Sequence, residues 1–358
     1  MIYFEPRTAP TALRRSLVAI ASVVFAVALA AIPIAAAGAS VLNAYGLMIS
    51  GAFGSLFAFS ETLTRATPLI LTGLAAAVAF RARLWNIGGE GQLYMGALAA
   101  VTLGSGAIDA PPVVMVPLLL AAGAIAGAAL LLGPTLLKLR FGADEVVTTL
   151  LLNFVVLLFV QMMLEGPLKD PMGLGWPQSE PIVDQAILPP LIARMRLHSG
   201  LIVGLVMAVA MHVFIRHTIW GFEIRAVGEN ASAARYAGIS VGKTFVLVAC
   251  LSGGLAGLAG VGEVAGLKGY LTADLSPGYG YTGIVVAMLA GLSPLGVVLA
   301  AFFIAAIFVG ADSMSRALGV SSYLADLIVA TSLLCVLIGG FGARYRIRFL
   351  KAGTAREG

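Results

Sequence analysis

The sequence predicts an all-α protein that crosses a membrane many times, and three observations predict it. Hydrophobic residues make up 60% of the 358-residue chain and charged residues only 11%, against roughly a quarter charged in a soluble domain. Mean hydropathy is +1.00. The apolar residues gather into stretches close to the ~20 residues that a hydrocarbon core of about 30 Å requires. These stretches are 16–37, 62–80, 87–106, 113–137, 146–164, 200–219, 244–265, 280–293, 295–311 and 322–340, ten spans with the eighth short enough to be broken or tilted.

Each element has its own justification. The first stretch follows Arg14-Arg15 and ends in "AAAGAS", like a cleavable leader. It is too long for a leader's apolar region of about 7–15 residues, so it reads as a retained first helix. The glycine-interrupted segment 41–60 reads as an outer-face helix and not a span, because counting it would scramble the charge pattern. With the N-terminus inside, sixteen of the 22 basic residues fall near inner ends: Arg7, Arg14 and Arg15; Arg81 and Arg83; Lys138 and Arg140; Arg216, Arg225, Arg235 and Lys243; Arg344, Arg346, Arg348, Lys351 and Arg356. This asymmetry supports ten spans with both termini cytoplasmic. The chain then divides into a cytoplasmic segment 1–15, a membrane domain 16–340 and a basic cytoplasmic tail 341–358. The net charge of +5 belongs to this topology and not to nucleic-acid binding.

Two polar connections interrupt the membrane domain. The outer loop 165–199 carries Pro167, Pro171, Pro177, Pro181, Pro189 and Pro190, which bar a long helix and favour extended or turning chain. The inner loop 220–243 contains "GENASAARYAGI". There Asn230 or Ser232 can cap a helix of about two turns, and Gly238 stands where a left-handed residue would end it. Such a helix is marginal by itself in water and needs neighbours or a partner. The nearby "GISVGKT" imitates a phosphate-binding loop, but it has three residues between its glycines where the motif needs four, and no strand precedes it.

Glycine is abundant at 43 residues, and spacings such as Gly123/Gly127 and Gly253/Gly257 suit close helix packing in lipid. Cys250 and Cys335 lie inside apolar runs and read as packing residues. His198, His212 and His217 flank one span without metal-ligand clustering. Ionisable groups inside a membrane are expensive and functional by default, which singles out Glu90, Glu263 and Asp326, with uncharged Gln92, Asn153 and Gln161 beside them. In "RARLWNIGGEGQLYMGALAA" (81–100), Asn86 can cap the third span and Glu90 falls in its first turn, where the helix dipole favours negative charge. Asn86, Glu90, Gln92 and Asn153 are the candidates for a translocation path or gate. A purely architectural role for them stands equally open.

The blocks "AFRARLWNIGGEGQLYMGALAA", "FGADEVVTTLLLN", "RAVGENASAARYAGI" and "GLSPLGVVLAA" occur in this order. Together they resemble the permease subunits of bacterial ABC importers, in the branched-chain amino acid and simple-sugar permease superfamily. Within it they are most similar to the branch that takes up nucleosides or simple sugars with a basic-membrane-protein-type lipoprotein. Gly89 stands where the family commonly has alanine. The resemblance implies a type II, vitamin-B12-importer-like permease with about ten helices. It also makes the inner loop an ATPase-coupling element, carried by Gly228, Glu229, Asn230, Ala233, Ala234, Arg235, Tyr236 and Gly238. The implied partners are a second permease subunit, related or identical, a cytoplasmic tandem ABC ATPase and a substrate-binding lipoprotein, all in the bacterial inner membrane or at its faces. ATP would sit on the ATPase, with no cofactor on this chain and no catalytic site. The competing expectation is an ion- or proton-coupled secondary transporter that uses Glu90, Glu263 or Asp326 as relays.

Overall fold

The computed structural model describes residues 2–6, 12–36, 38–106, 108–319, 321 and 323–349. Residues 350–358 of the expected basic tail, and residues 7–11 of the N-terminal segment, lie outside the described residues. The chain forms two compact units, 1–52 with 307–358, and 53–306.

The first unit joins the two ends of the chain. Strand β1 (Ile2–Pro6) pairs antiparallel with β2 (Tyr345–Phe349), with Phe4 opposite Ile347. Helix α1 (Ala12–Ala36) packs against α13 (Tyr323–Arg344). Helix α2 (Val41–Phe53) follows α1 at a sharp bend of 116°. A small core of Ile34, Ala44 and Met314 holds this corner. The segment expected as one outer-face helix over 41–60 is in fact two pieces. It breaks after Phe53, and Ser55 caps the next helix by accepting from the Ala58 amide at 3.0 Å.

The second unit holds α3 (Leu56–Arg81), α4 (Gly89–Gly104), α5 (Pro112–Phe141), α6 (Glu145–Glu165), α7 (Gly200–His217), α8 (Ile219–Glu229), α9 (Ala231–Tyr236), α10 (Val241–Glu263) and α11 (Tyr279–Leu289). Helix α12 (Pro294–Leu318) runs from this unit into the first. Among the described residues, six helices are long and apolar enough to cross a membrane, or seven if the bent α1–α2 pair counts as one. The protein is thus a helical, multi-pass membrane protein.

Helices α3 and α10 form the buried centre of the second unit, and glycine explains how tightly α10 packs. A Cβ on Gly257 would overlap the carbonyl oxygen of Gly123, and one on Gly127 would overlap that of Gly253. The two glycine pairs noted in the sequence therefore face each other across α5 and α10. Gly260 meets the Leu93 carbonyl and Gly96 meets that of Gly257, which brings α4 in equally close beside α5. With no hydrophobic force between helices in lipid, such close packing is what holds them together.

The outer loop runs as turns and short bridges with one 3₁₀ turn, Asp184–Ala186, as its prolines require. Its backbone amides bond to chain ends in the bundle. Val183 N–H donates to Gly104 O at 2.8 Å, and Leu188 N–H to Ala265 O at 2.7 Å. Ala265 lies in the π turn Val264–Lys268 that ends α10.

Candidate functional site: a pinned loop and a broken helix

The polar residues of the opening block converge on one buried junction. Between α3 and α4 the chain 82–88 is not helical, and its backbone amides need partners. Helix α6 supplies two of them, and one in the first turn of α4, from a single face. Glu145 Oε1 accepts from Trp85 N–H at 3.4 Å, Thr149 Oγ1 from Ile87 N–H at 3.1 Å, and Asn153 Oδ1 from Gly91 N–H at 2.8 Å. Asn153 Nδ2 also donates to Ile87 O at 2.9 Å and to the Tyr281 hydroxyl at 3.1 Å. The three side chains stand four residues apart, one above the other on α6. Glu145 is further neutralised by an ion pair with Lys138.

Asn86 does not cap the third span as the sequence suggested. The residue before α4 is Gly88, with no side-chain cap, and Asn86 turns inward instead. Its Nδ2 donates to Gln92 Oε1 at 2.9 Å and to Ser252 Oγ at 3.0 Å, while its Oδ1 accepts from Gln92 Nε2 at 2.8 Å and Gly88 N–H at 2.9 Å. Ser252 in turn donates to Ala75 O at 2.8 Å. A chain of bonds therefore links α4, the loop, α10 and α3. Asn86, Gln92, Asn153 and Ser252 are all buried, and a fully satisfied buried network of this kind fixes geometry.

Glu90 reaches a different element. Its Oε2 accepts from Gly280 N–H at 2.6 Å, in the first turn of α11. At 11 residues, α11 rises about 16 Å, roughly half a bilayer core. Its N-terminus leaves amides without intrahelical partners, and the buried Glu90 carboxylate satisfies one of them. Ser276 Oγ accepts from Gly278 and Tyr279 N–H at 3.1 and 2.9 Å. The Tyr94 hydroxyl donates to Ala273 O at 2.7 Å, and Thr72 donates to Tyr279 O at 3.0 Å. The broken helix is thus held from α3, α4 and α6. Glu90 and Asn86 serve different elements because Asn86 lies before the helix begins.

Sequence reasoning missed Glu145, Thr149 and Ser252. A signal existed for the first two: polar residues at i, i+4 and i+8 ending in Asn153 form a stripe on an otherwise apolar helix.

The loop 220–243, expected on the inner side, is a second candidate site. Thr218 opens α8 by accepting from Gly221 N–H at 3.0 Å, a helix the sequence did not suggest. Asn230 caps α9, its Oδ1 accepting from Ser232 and Ala233 N–H, both at 3.0 Å. Gly238 follows with φ +84°, the left-handed residue expected there. Ala234 is buried, whereas Glu229, Asn230, Ala233, Arg235, Tyr236 and Gly238 are exposed, Tyr236 at 96%. Gly228 is buried against α3: a Cβ there would overlap the Arg81 carbonyl oxygen. The loop therefore presents a short, capped, outward-facing helix on a base fixed directly to the bundle. The imitation phosphate loop runs from Gly238 into the first turn of α10, and Thr244 uses its hydroxyl on Ser240 O at 3.0 Å. Among the described residues no group of three His, Cys, Asp or Glu side chains is placed to hold a metal ion.

The other singled-out groups separate. Glu263 and His198 are buried, and Asp326 is exposed. The ring of His198 fills the space beside Gly200 and Gly266. Burial pushes its pKa down to about 4.

Comparison with known proteins gives the family. Residues 58–337 match the family described as the branched-chain amino acid transport system permease component. The chain is 37% identical to a glucose ABC transporter permease of Haloferax volcanii, over 91% of this chain and 88% of the relative. It is 36% identical to a guanosine ABC transporter permease of Bacillus subtilis, over 96% and 97%. To a nucleoside ABC transporter permease of Lactococcus lactis subsp. cremoris it is 33% identical, over 85% of each chain. No solved structure matches the chain. A multi-pass helical bundle with a pinned interior loop, matched along 58–337 to transport permeases, belongs to the branched-chain amino acid transport permease family and is an ABC transporter permease subunit.

Proposed function

We propose that this subunit forms the translocation path for a nucleoside or simple sugar in an ATP-driven importer, and that α9 is where the ATPase engages it. The observation that carries the coupling role is the exposed face of α9: Arg235 and Tyr236 point outward on a six-residue helix too short to be stable without its Asn230 cap and a docking partner. The relatives named for guanosine, nucleosides and glucose support the substrate class. The assembly proposed is two permease chains, a tandem ATPase and a binding lipoprotein in the inner membrane, with ATP held by the ATPase.

A type II architecture of ten spans, with both termini cytoplasmic, is part of this proposal. The pairing of β1 with β2 supports it, because termini that meet must lie on one side, and so does the excess of basic residues at the inner ends. A secondary-transport mechanism has less support, since Glu90 is engaged as a helix cap.

The test is uptake of labelled guanosine and glucose into vesicles that contain the assembled transporter and its binding protein. Nucleoside or sugar uptake should require ATP, with the two substrates separated by competition. Arg235→Glu should insert normally yet leave ATP hydrolysis uncoupled from uptake. Full uptake by Arg235→Glu would remove α9 from the coupling role.

A further inference from the structure

A cavity of about 420 Å³ opens where the end of α3, the end of α7, α8 and the start of α12 come together. Three guanidinium-bearing residues and an imidazole line it: Arg81, Arg216, Arg225 and His212, with Ser293. None of the three arginines forms an ion pair within 4 Å among the described residues. Arg81 gives one nitrogen, Nη2, to the Leu292 carbonyl at 3.0 Å and Arg225 gives Nη1 to that of Ile215, but Arg81 Nε is buried with no partner. Glu229 is the carboxylate whose charge reaches Arg81, and it is exposed at the end of α8. The Leu292 carbonyl belongs to a turn in which Gly291 and Leu292 both have φ +60°, an uncommon conformation for leucine. Like charges gathered around a hollow repel one another, and a buried donor without an acceptor costs free energy. An anion in the cavity would relieve both.

We propose that this cavity binds a phosphate-bearing anion, with the headgroup of an anionic phospholipid as its source. Guanidinium groups suit phosphate oxygens because they offer paired N–H donors in one plane. The lipid source follows from the rim. Helix α8, which gives Arg225 to the lining, also carries the exposed apolar side chains Ile219, Trp220 and Phe222, and Trp220 packs near Phe214 of α7 with ring centroids 6.1 Å apart. An aromatic edge next to a basic hollow is what a membrane interface presents to a headgroup and its acyl chains. The cytoplasmic placement of the site rests on the orientation proposed above, whereas anion binding does not.

The test is native mass spectrometry of the full-length chain released from nanodiscs of equal phosphatidylglycerol and phosphatidylcholine, with glycerol 1-phosphate as a soluble competitor. Phosphatidylglycerol should be retained preferentially. Arg216→Gln with Arg225→Gln should weaken that retention about thirtyfold, the loss expected for two arginine–headgroup attractions. Arg140→Gln, an exposed basic residue at the end of α5, should leave it unchanged. Displacement of the lipid by glycerol 1-phosphate, with the same loss in the double variant, would keep the anion site and assign it a soluble source. Equal retention of both lipids, or equal phosphatidylglycerol retention by wild type and double variant, would overturn the proposal. So would a double variant that loses only its ATPase partner, since an acidic side chain of that partner would then fill the cavity. An inverted orientation would move the reporter result described below and leave lipid retention intact.

Discussion

At the scale of single residues, Glu90 and His198 show how burial decides what an ionisable group can do. Glu90 accepts from the Gly280 amide, so its oxygen is its contribution to the fold. Glu90→Gln keeps a carbonyl oxygen there and should retain near-native stability and transport. Glu90→Ala leaves a buried amide without an acceptor and should cost about 1–3 kcal/mol, read as a lower melting temperature in detergent. Loss of uptake by Glu90→Gln with unchanged melting would instead give the charge a role in the path. His198 lies in the outer loop with its Nδ1 accepting from Gly200 N–H at 3.2 Å, a bond that only the unprotonated nitrogen can make. Its folded pKa is about 4 against an ordinary 6.5. The unfolded chain therefore takes up the proton first as pH falls, and native stability declines through that window by about 3 kcal/mol in total. The melting temperature of wild type relative to His198→Gln should therefore fall as pH is lowered from 7.

At the scale of elements, the bundle depends on glycines at which two backbones touch. Gly257→Ala would place its methyl group into the Gly123 carbonyl and should destabilise by about 1–3 kcal/mol as α5 and α10 are forced apart. Gly133→Ala, in open space on α5, should be neutral or slightly stabilising because alanine favours a helix. A melting series on the two variants separates packing from helix propensity. Helices were legible in the sequence because apolar length is a strong signal, and so was α9, whose cap and terminator are local chemistry. The Gly123/Gly127 and Gly253/Gly257 spacings were visible, but their mutual pairing was not, since any two small-residue faces look alike until the chain folds. Asn86 misled for a related reason. Its position suits an N-cap, yet its strongest partners, Gln92 and Ser252, include one 166 residues away. Helix α8 was hidden because Thr218 caps it directly after α7, so the sequence reads as one polar loop.

At the scale of the whole molecule, the antiparallel pairing of Ile2–Pro6 with Tyr345–Phe349 ties the two ends of the chain together and demands an even number of crossings. The pairing puts both ends on one side, and with the cytoplasmic orientation proposed above a green fluorescent reporter should fluoresce at either terminus and alkaline phosphatase should stay inactive at both. Opposite behaviour at the two ends would break the ten-span assignment. The contact between Gly228 and the Arg81 carbonyl has a mechanical meaning as well. Close-packed interiors transmit strain, and no side chain of Gly228 cushions α8 against the end of α3. Helix α3 in turn holds the Tyr279 carbonyl of the broken helix through Thr72. In the coupling role proposed for α9, a push on the loop would therefore meet α3 backbone to backbone, with no side chain between them to absorb it.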